Sequence, residues 1–230
     1  MRPLFQLGPR LALCAQLVRE GSRLCDVGTD HAYLPIWLLK TGKISQALAA
    51  DVNPGPLDAA RRDGEKYGVD DGLSFRLSDG LRQIRPEEAQ DVVIAGMGGE
   101  LMLRIISETP WLRDPEKQLV LQPMSSVAEL RQGLWQLGFQ VLREEAVVDA
   151  GKVYSAFSAR YTETPQERDP LFLFMGKLRP GAPAVDRYAQ KMLRMLASQQ
   201  KGALHRGEGE RVKELDVLME NLRKRYLSQA

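Results

Sequence analysis

The residues able to do chemistry in this 230-residue chain crowd into one stretch, Leu24-Cys25-Asp26-Val27-Gly28-Thr29-Asp30-His31-Ala32-Tyr33-Leu34-Pro35. It reads as a buried strand, a glycine turn and the first turn of a helix. Asp26, Gly28 and Thr29 fall where a ligand meets backbone, and Asp30 and His31 place two titratable groups just beyond, with Tyr33 adding an aromatic face. Further clusters each close an apolar run: Asp51-Val52, Ser78-Asp79-Gly80 and Ala95-Gly96-Met97-Gly98-Gly99. A carboxylate ending a second strand can accept from both vicinal hydroxyls of a ribose, and one ending a third strand can accept from an adenine amino group.

Those clusters need elements to hold them. Hydrophobic periodicity predicts a helix over 4–20 and, after a strand closing at Val27, a helix with Pro35 in its first turn that stops at Gly42. Strands are expected over 44–51, 73–77, 91–95 and from Gln118 to Pro123. Helices are expected over 54–67, with Asn53 as cap, over 100–107, and from a Ser125 or Ser126 cap to Gly138. Segments 139–148 and 152–160, joined at Asp149-Ala150-Gly151, read as a hairpin. Five strands alternating with helices before a hairpin imply an α/β fold, its sheet largely parallel with one antiparallel strand.

A second unit follows, with the division set at 1–160 and 161–230. Pro165, Pro170, Pro180 and Pro183 surround Leu171-Phe172-Leu173-Phe174-Met175, an apolar run that must dock. Val185, Tyr188, Met192 and Met195, then Val212, Leu215, Met219, Leu222 and Tyr226, recur at steps of three and four. With Gly202, Gly207 and Gly209 between these runs, the pattern predicts an antiparallel two-helix hairpin.

At 43% hydrophobic and 27% charged residues, the composition is that of a soluble globular protein. No run approaches the ~20 apolar residues of a membrane span, and Pro3, Gly8 and Pro9 interrupt any signal-peptide pattern. A cytoplasmic protein with reduced Cys14 and Cys25 and no membrane partner is expected. The two histidines, His31 and His205, are far apart, so no metal site is expected. Residues 161–230 are net basic and the rest net acidic, a bias compatible with a nucleic-acid partner or a solvated helix face. The oligomeric state stays open, with a monomer favoured.

In a doubly wound sheet the ligand crevice lies outside the C-terminal strand ends, where all four clusters fall. Gly-x-Gly-x-x-Gly is absent, because Asp30 stands in place of the second glycine. A carboxylate there would repel a pyrophosphate at the helix N-terminus, which argues against NAD or FAD. A phosphate-free cofactor carrying a sulfonium, S-adenosyl-L-methionine, is the better match.

Taken together, Asp-Val-Gly-Thr-Asp-His-Ala-Tyr-Leu-Pro (26–35), Asp-Val-Asn-Pro-Gly-Pro-Leu (51–57), Ser-Asp-Gly-Leu (78–81), Ile-Ala-Gly-Met-Gly-Gly (94–99), Leu-Gln-Pro (121–123) and Gly-Lys-Val-Tyr (151–154) resemble the bacterial tRNA (adenine(22)-N(1))-methyltransferase family. The resemblance covers residues 5–160, and the tail is similar in kind to that family's coiled-coil appendage. It implies a Rossmann-like class I methyltransferase with a seven-stranded sheet, S-adenosyl-L-methionine as donor and tRNA as substrate. By position, Gly28 would be the backbone approach to the methionine part of the donor, Asp51 would hold its ribose and Asp79 with Gly80 its adenine, with Asp26, Thr29, Val52, Ala95 and Gly96 also at the cofactor. Gly96, Met97, Gly98 and Gly99 would floor the target-base pocket, with Gln122, Pro123 and Tyr154 also on the substrate side. Asp30 resembles the family's proposed catalytic acid, with His31 and Tyr33 next to it. Arg187, Lys191 and Arg194 would meet RNA phosphates, as could Arg179, Lys201, Arg2 and Arg10. Thr29 stands where the family commonly has Ser. Met124 stands where it commonly has Asn, a side chain able to bond a base edge.

The chemistry is self-consistent. Adenine N1 carries an in-plane lone pair that can attack a sulfonium methyl directly from roughly 3–3.5 Å. The ring gains positive charge, which a carboxylate such as Asp30 would stabilise, or Asp30 could accept the N6 proton. A stacked or paired adenine must be extruded and held by stacking, for which His31, Tyr33 and Tyr154 are the candidates. Blander roles compete: a turn cap for Asp26, core packing for Tyr33, conformational need for the glycines, a helix seam for Met192 and Met195. Two other functions remain open, a class I methyltransferase for another RNA position or a small molecule, and a non-catalytic binding protein.

Overall fold

The computed structural model describes residues 4–163 and 169–227. One seven-stranded sheet runs through it: β1 (Arg23–Val27), β2 (Gln46–Asp51), β3 (Leu73–Leu77), β4 (Asp91–Ala95), β5 (Gln118–Gln122), β6 (Phe139–Asp149) and β7 (Lys152–Tyr161). Their order is β3-β2-β1-β4-β5-β7-β6, with β1 to β5 parallel and β7 antiparallel to both neighbours. The order reverses between β1 and β4, which makes their C-terminal ends the switch point where such sheets bind ligands.

Strand alternation sorts side chains between two cores. Leu24, Ala49, Val93 and Val120 face α1 (Pro9–Leu17), α2 (Tyr33–Lys40) and α3 (Pro54–Tyr67). Cys25, Ala50, Val92, Ile94, Leu119 and Leu121 face α4 (Gly99–Ser107) and α5 (Val127–Gln136). Both faces being covered is why these strands read as continuous apolar runs.

Several boundaries differ from expectation. The first helix starts at Pro9, where a missing N–H is harmless, and ends at Leu17 because Val18 is extended. Phe5 and Leu7 pack on the core without being helical. The second strand starts at Gln46 rather than at 44. Neither Asn53 nor Ser126 makes a side-chain capping bond, and Ser126 is left-handed at φ 49°. The hairpin turn is Ala150-Gly151, with φ of 47° and 76°, the double positive φ of a type I′ turn whose twist suits two antiparallel strands.

In the tail, α6 (Phe172–Met175) docks the apolar run by burying Phe174 and Met175. The helices α7 (Pro183–His205) and α8 (Gly209–Tyr226) form the antiparallel pair. Gly202 lies inside α7, so the break falls at 206–208, around Gly207 at φ 73°. Leu196, not Met195, is the fully buried seam residue, joining Tyr188, Met192, Leu215, Met219 and Leu222. That core also takes in Val153 of β7, so the helical pair rests on the edge of the sheet. Pro165 lies outside the described residues. No helix of the described residues is long and apolar enough to cross a membrane.

Candidate active site

The loop after β1 is pinned to β2 by its own backbone: the N–H groups of Gly28 and Thr29 both donate to the Ala50 carbonyl, at 2.8 and 3.1 Å. Gly28 has φ 75°, and a Cβ there would stand 2.1 Å from Met97 Cε, so Met97 covers the loop from the β4 side. Asp26, on the α1 side of β1, is buried, and its pKa is pushed up to about 6 by burial, opposed by the Thr29 hydroxyl and aided by the Asp51 charge. At the end of β2, Asp51 Oδ1 accepts from the Asn53 N–H at 2.8 Å, and the neighbouring Val52 side chain is exposed.

At the end of β3, Asp79 pairs with Arg82 at 3.2 Å and with Arg104 at 3.3 Å, so both its oxygens already face guanidinium groups. Gly80 has φ 59° and lies against Ile105.

The β4 and β5 loops are zipped together. Gly96 N–H donates to Gln122 O at 3.0 Å, Met124 N–H to Met97 O at 2.8 Å and Gly99 N–H to Ser125 O at 3.0 Å. A Cβ on Gly99 would stand 2.3 Å from Ser126 O, whereas one on Gly96 would enter open space. Gly99 therefore serves loop packing, and Gly96, exposed at φ 79° beside Ala95, keeps the crevice open.

Beside these loops sits a group that motif reading did not assemble. Arg10 donates to Asp149 at 2.7 Å, to Gln122 Oε1 at 3.2 Å and to Met124 Sδ at 3.4 Å. Gln122 is fully buried and its amide donates to Pro123 O at 3.1 Å, so its side chain braces Arg10. Tyr154 has Arg10 at 5.2 Å and Lys191 at 5.5 Å from its ring centre, within cation–π reach. Lys191 reaches the sheet from α7, donating to Val153 O at 3.2 Å, and burial lowers its pKa. Arg187 and Arg194 share its helix face at steps of four and three and are exposed, as are Arg179 and Lys201. Arg2 lies outside the described residues.

Beyond the glycine turn, the Asp30 side chain is 84% exposed, 3.8 Å from His31 Nε2. The His31 ring lies parallel to Tyr33, centres 5.1 Å apart, with Phe5 edge-on to Tyr33 at 5.1 Å and to Tyr67 at 5.0 Å. His31 Nδ1 is 3.0 Å from Asp63 Oδ2. Asp63, on α3, was invisible to motif reading, since only the packing of α3 beside α2 brings residues 32 apart in sequence together.

The crevice thus offers carboxylates at the first two strand ends, an exposed apolar rim and an open glycine. Among the described residues the buried Thr29 hydroxyl has no partner in full hydrogen-bonding geometry, although it stands close enough to the Asp26 carboxylate to favour its charged form. Such a site suits a cationic nucleoside without phosphates, as S-adenosyl-L-methionine is. Among the described residues no group of three or more His, Cys, Asp or Glu side chains gathers as metal ligands would.

A family model described as a methyltransferase domain matches residues 7–157. The tRNA (adenine(22)-N(1))-methyltransferase of Bacillus subtilis (strain 168) is 32% identical over 174 residues, which are 76% of this chain and 73% of that protein. The chain belongs to the tRNA (adenine(22)-N(1))-methyltransferase family. Among solved structures, Streptococcus pneumoniae Sp1610, a putative tRNA (m1A22) methyltransferase in complex with S-adenosyl-L-methionine, is 29% identical with TM-score 0.79, covering 91% of this chain and 98% of that one. The Bacillus subtilis m1A22 tRNA methyltransferase structure is 26% identical with TM-score 0.73, covering 96% and 99%. Such coverage takes in the helical tail of this family member as well as its sheet.

Proposed function

We propose that this chain transfers the methyl group of S-adenosyl-L-methionine to N1 of adenine 22 in tRNA. The similarity of 91% of the chain to a structure solved with S-adenosyl-L-methionine, together with the strand-end carboxylates and glycines, carries this reading. The donor supplies the electrophilic sulfonium methyl. Gly28 and Gly96 give backbone access, Asp26 and Thr29 serve its methionine part, Asp51 and Val52 its ribose, and Asp79 and Gly80 its adenine. Asp79 must then share its carboxylate with Arg82 and Arg104.

Asp30 is the carboxylate proposed to face the methylated ring, stabilising the positive charge it gains. Tyr33 and Tyr154 flank the path of the extruded base, over Met97 and Gly98. Gln122 acts at one remove by bracing Arg10, so the edge of the pocket at Met124 is built from Arg10 and a thioether. Residues 161–230 form a second unit that turns Arg187, Lys191 and Arg194 toward RNA, in a cytoplasmic enzyme.

Methyl incorporation into bulk tRNA followed by nucleoside analysis tests the reading. N1-methyladenosine is expected, and Asp30→Ala should keep donor affinity while losing turnover. Another methylated nucleoside would move the target, and no product from intact tRNA would sink the enzyme reading.

A further inference from the structure

Asp63 makes the shortest polar contact to His31, yet belongs to none of the strand-end clusters. Its side chain is 15% exposed, and its Oδ2 lies 3.0 Å from His31 Nδ1. Its other oxygen faces Lys66 at 3.5 Å, which holds the carboxylate in place. An ionised carboxylate only accepts, so the proton of this contact resides on Nδ1. Nε2 is then the nitrogen left to the site, 3.8 Å from Asp30 Oδ1. Ring rotation is limited by Tyr33, parallel to within 8°, and Tyr33 is backed edge-on by Phe5.

We propose that Asp63 is a positioning residue for methyl transfer. It keeps the proton on His31 Nδ1 and aims Nε2, beside Asp30, at the exocyclic amino group of the target adenine. In the neutral ring, Nε2 and the Asp30 carboxylate are two acceptors side by side. An –NH2 group can donate to both, whereas the carbonyl edge of a guanine would meet only repulsion, so the pair selects adenine. No proton is transferred, and adenine N1 keeps its lone pair for the methyl. The inference rests on the tRNA-adenine reading above.

The full chain has two histidines, so the His31 imidazole is readily assigned in long-range ¹H–¹⁵N spectra. The wild type should show Nδ1 protonated, and Asp63→Ala should shift the ring toward the Nε2–H tautomer. In tRNA methylation, Asp63→Ala should lower kcat by about 10-fold, one charge-assisted hydrogen bond's worth, with the KM for S-adenosyl-L-methionine unchanged. On a His31→Ala background the same substitution should add nothing. Should Asp63→Ala fail to fold, Asp63→Leu keeps the side-chain bulk, offers Nδ1 no acceptor and carries the same comparison. An unchanged tautomer, an unchanged kcat, or equal losses with and without His31 would overturn the proposal. A wild type that methylates no tRNA adenine would instead defeat the functional reading, while the spectra would still decide whether Asp63 sets the His31 proton.

Discussion

Arg131 on α5 and Glu144 on β6 form an ion pair whose side chains are both wholly shielded from solvent. Arg131 also donates to the Leu173 carbonyl at 2.7 Å and lies 3.4 Å from the Tyr188 hydroxyl, and Glu144 Oε2 accepts from the Lys177 N–H at 2.9 Å. Burial works against the charge on Arg131, but Glu144 outweighs it and the guanidinium pKa is raised. Gly176, at φ 56°, passes so close that any side chain would overlap Glu144. One buried charge pair thus ties α6, Lys177 and Tyr188 to the sheet, Tyr188 lying on the same helix as Lys191.

Breaking this pair from one side leaves a buried charge alone. Arg131→Ala or Glu144→Ala should each lose about 3–5 kcal/mol of stability, while replacing both with apolar residues of similar volume should restore most of it. Urea denaturation of the two single variants and the double variant measures this directly.

Asp26 predicts a pH dependence. Its pKa is raised to about 6 in the folded chain from an ordinary 3.8. The native state therefore binds the extra proton between those values, and stability falls as pH rises from about 4 to 6. A shift of this size corresponds to on the order of 2–3 kcal/mol. Asp26→Asn should flatten that slope and raise stability at neutral pH. A cationic donor favours the ionised carboxylate, so donor affinity in the wild type should rise between pH 5 and 7. Calorimetric titration across that range should show the rise for wild type and a smaller one for Asp26→Asn.

The adjacent glycines of the β4 loop should respond differently to alanine. At Gly99 the new Cβ would meet Ser126 backbone oxygen at 2.3 Å, whereas at Gly98, with φ −71°, the nearest atom is the mobile Ser125 hydroxyl at 3.2 Å. Gly99→Ala should cost about 1–3 kcal/mol as an overpacking substitution. Gly98→Ala should stay within about 0.5 kcal/mol of wild type. Thermal denaturation separates them, and equal losses would refute the packing account of Gly99.

Removing one cation from the α7 face should weaken tRNA binding and reduce its salt dependence. Lys191→Ala should lower the slope of log K against log salt by about 1, if Lys191 neutralises one phosphate. Filter binding over a range of salt concentrations tests it. An unchanged slope would mean that Lys191 only braces Tyr154.

Continuous apolar runs bounded by glycine, aspartate and proline made the central strands legible and placed most of their ends correctly, with period-two alternation showing at 73–77. The helices after Asn53 and Ser126 start where those residues placed them, although neither side chain makes a capping bond. Met195 looked like a seam residue by spacing, yet Leu196 points further into the interface, because an ideal helix drifts against any fixed three-four repeat.

The local chain alone determined the strand-end clusters, since Asp26-Val-Gly28-Thr29-Asp30, Asp51, Asp79-Gly80 and Gly96 to Gly99 lie within single turns, and the absent second glycine already pointed away from a pyrophosphate. Only tertiary structure decided which side chains those clusters meet. Asp63 reaches His31 because α2 and α3 pack side by side, Arg10 reaches Gln122 and Asp149 because the first helix crosses toward the far strands, and Arg131 finds Glu144 across the sheet edge. Such contacts depend on distance in space, and no spacing along the chain encodes them.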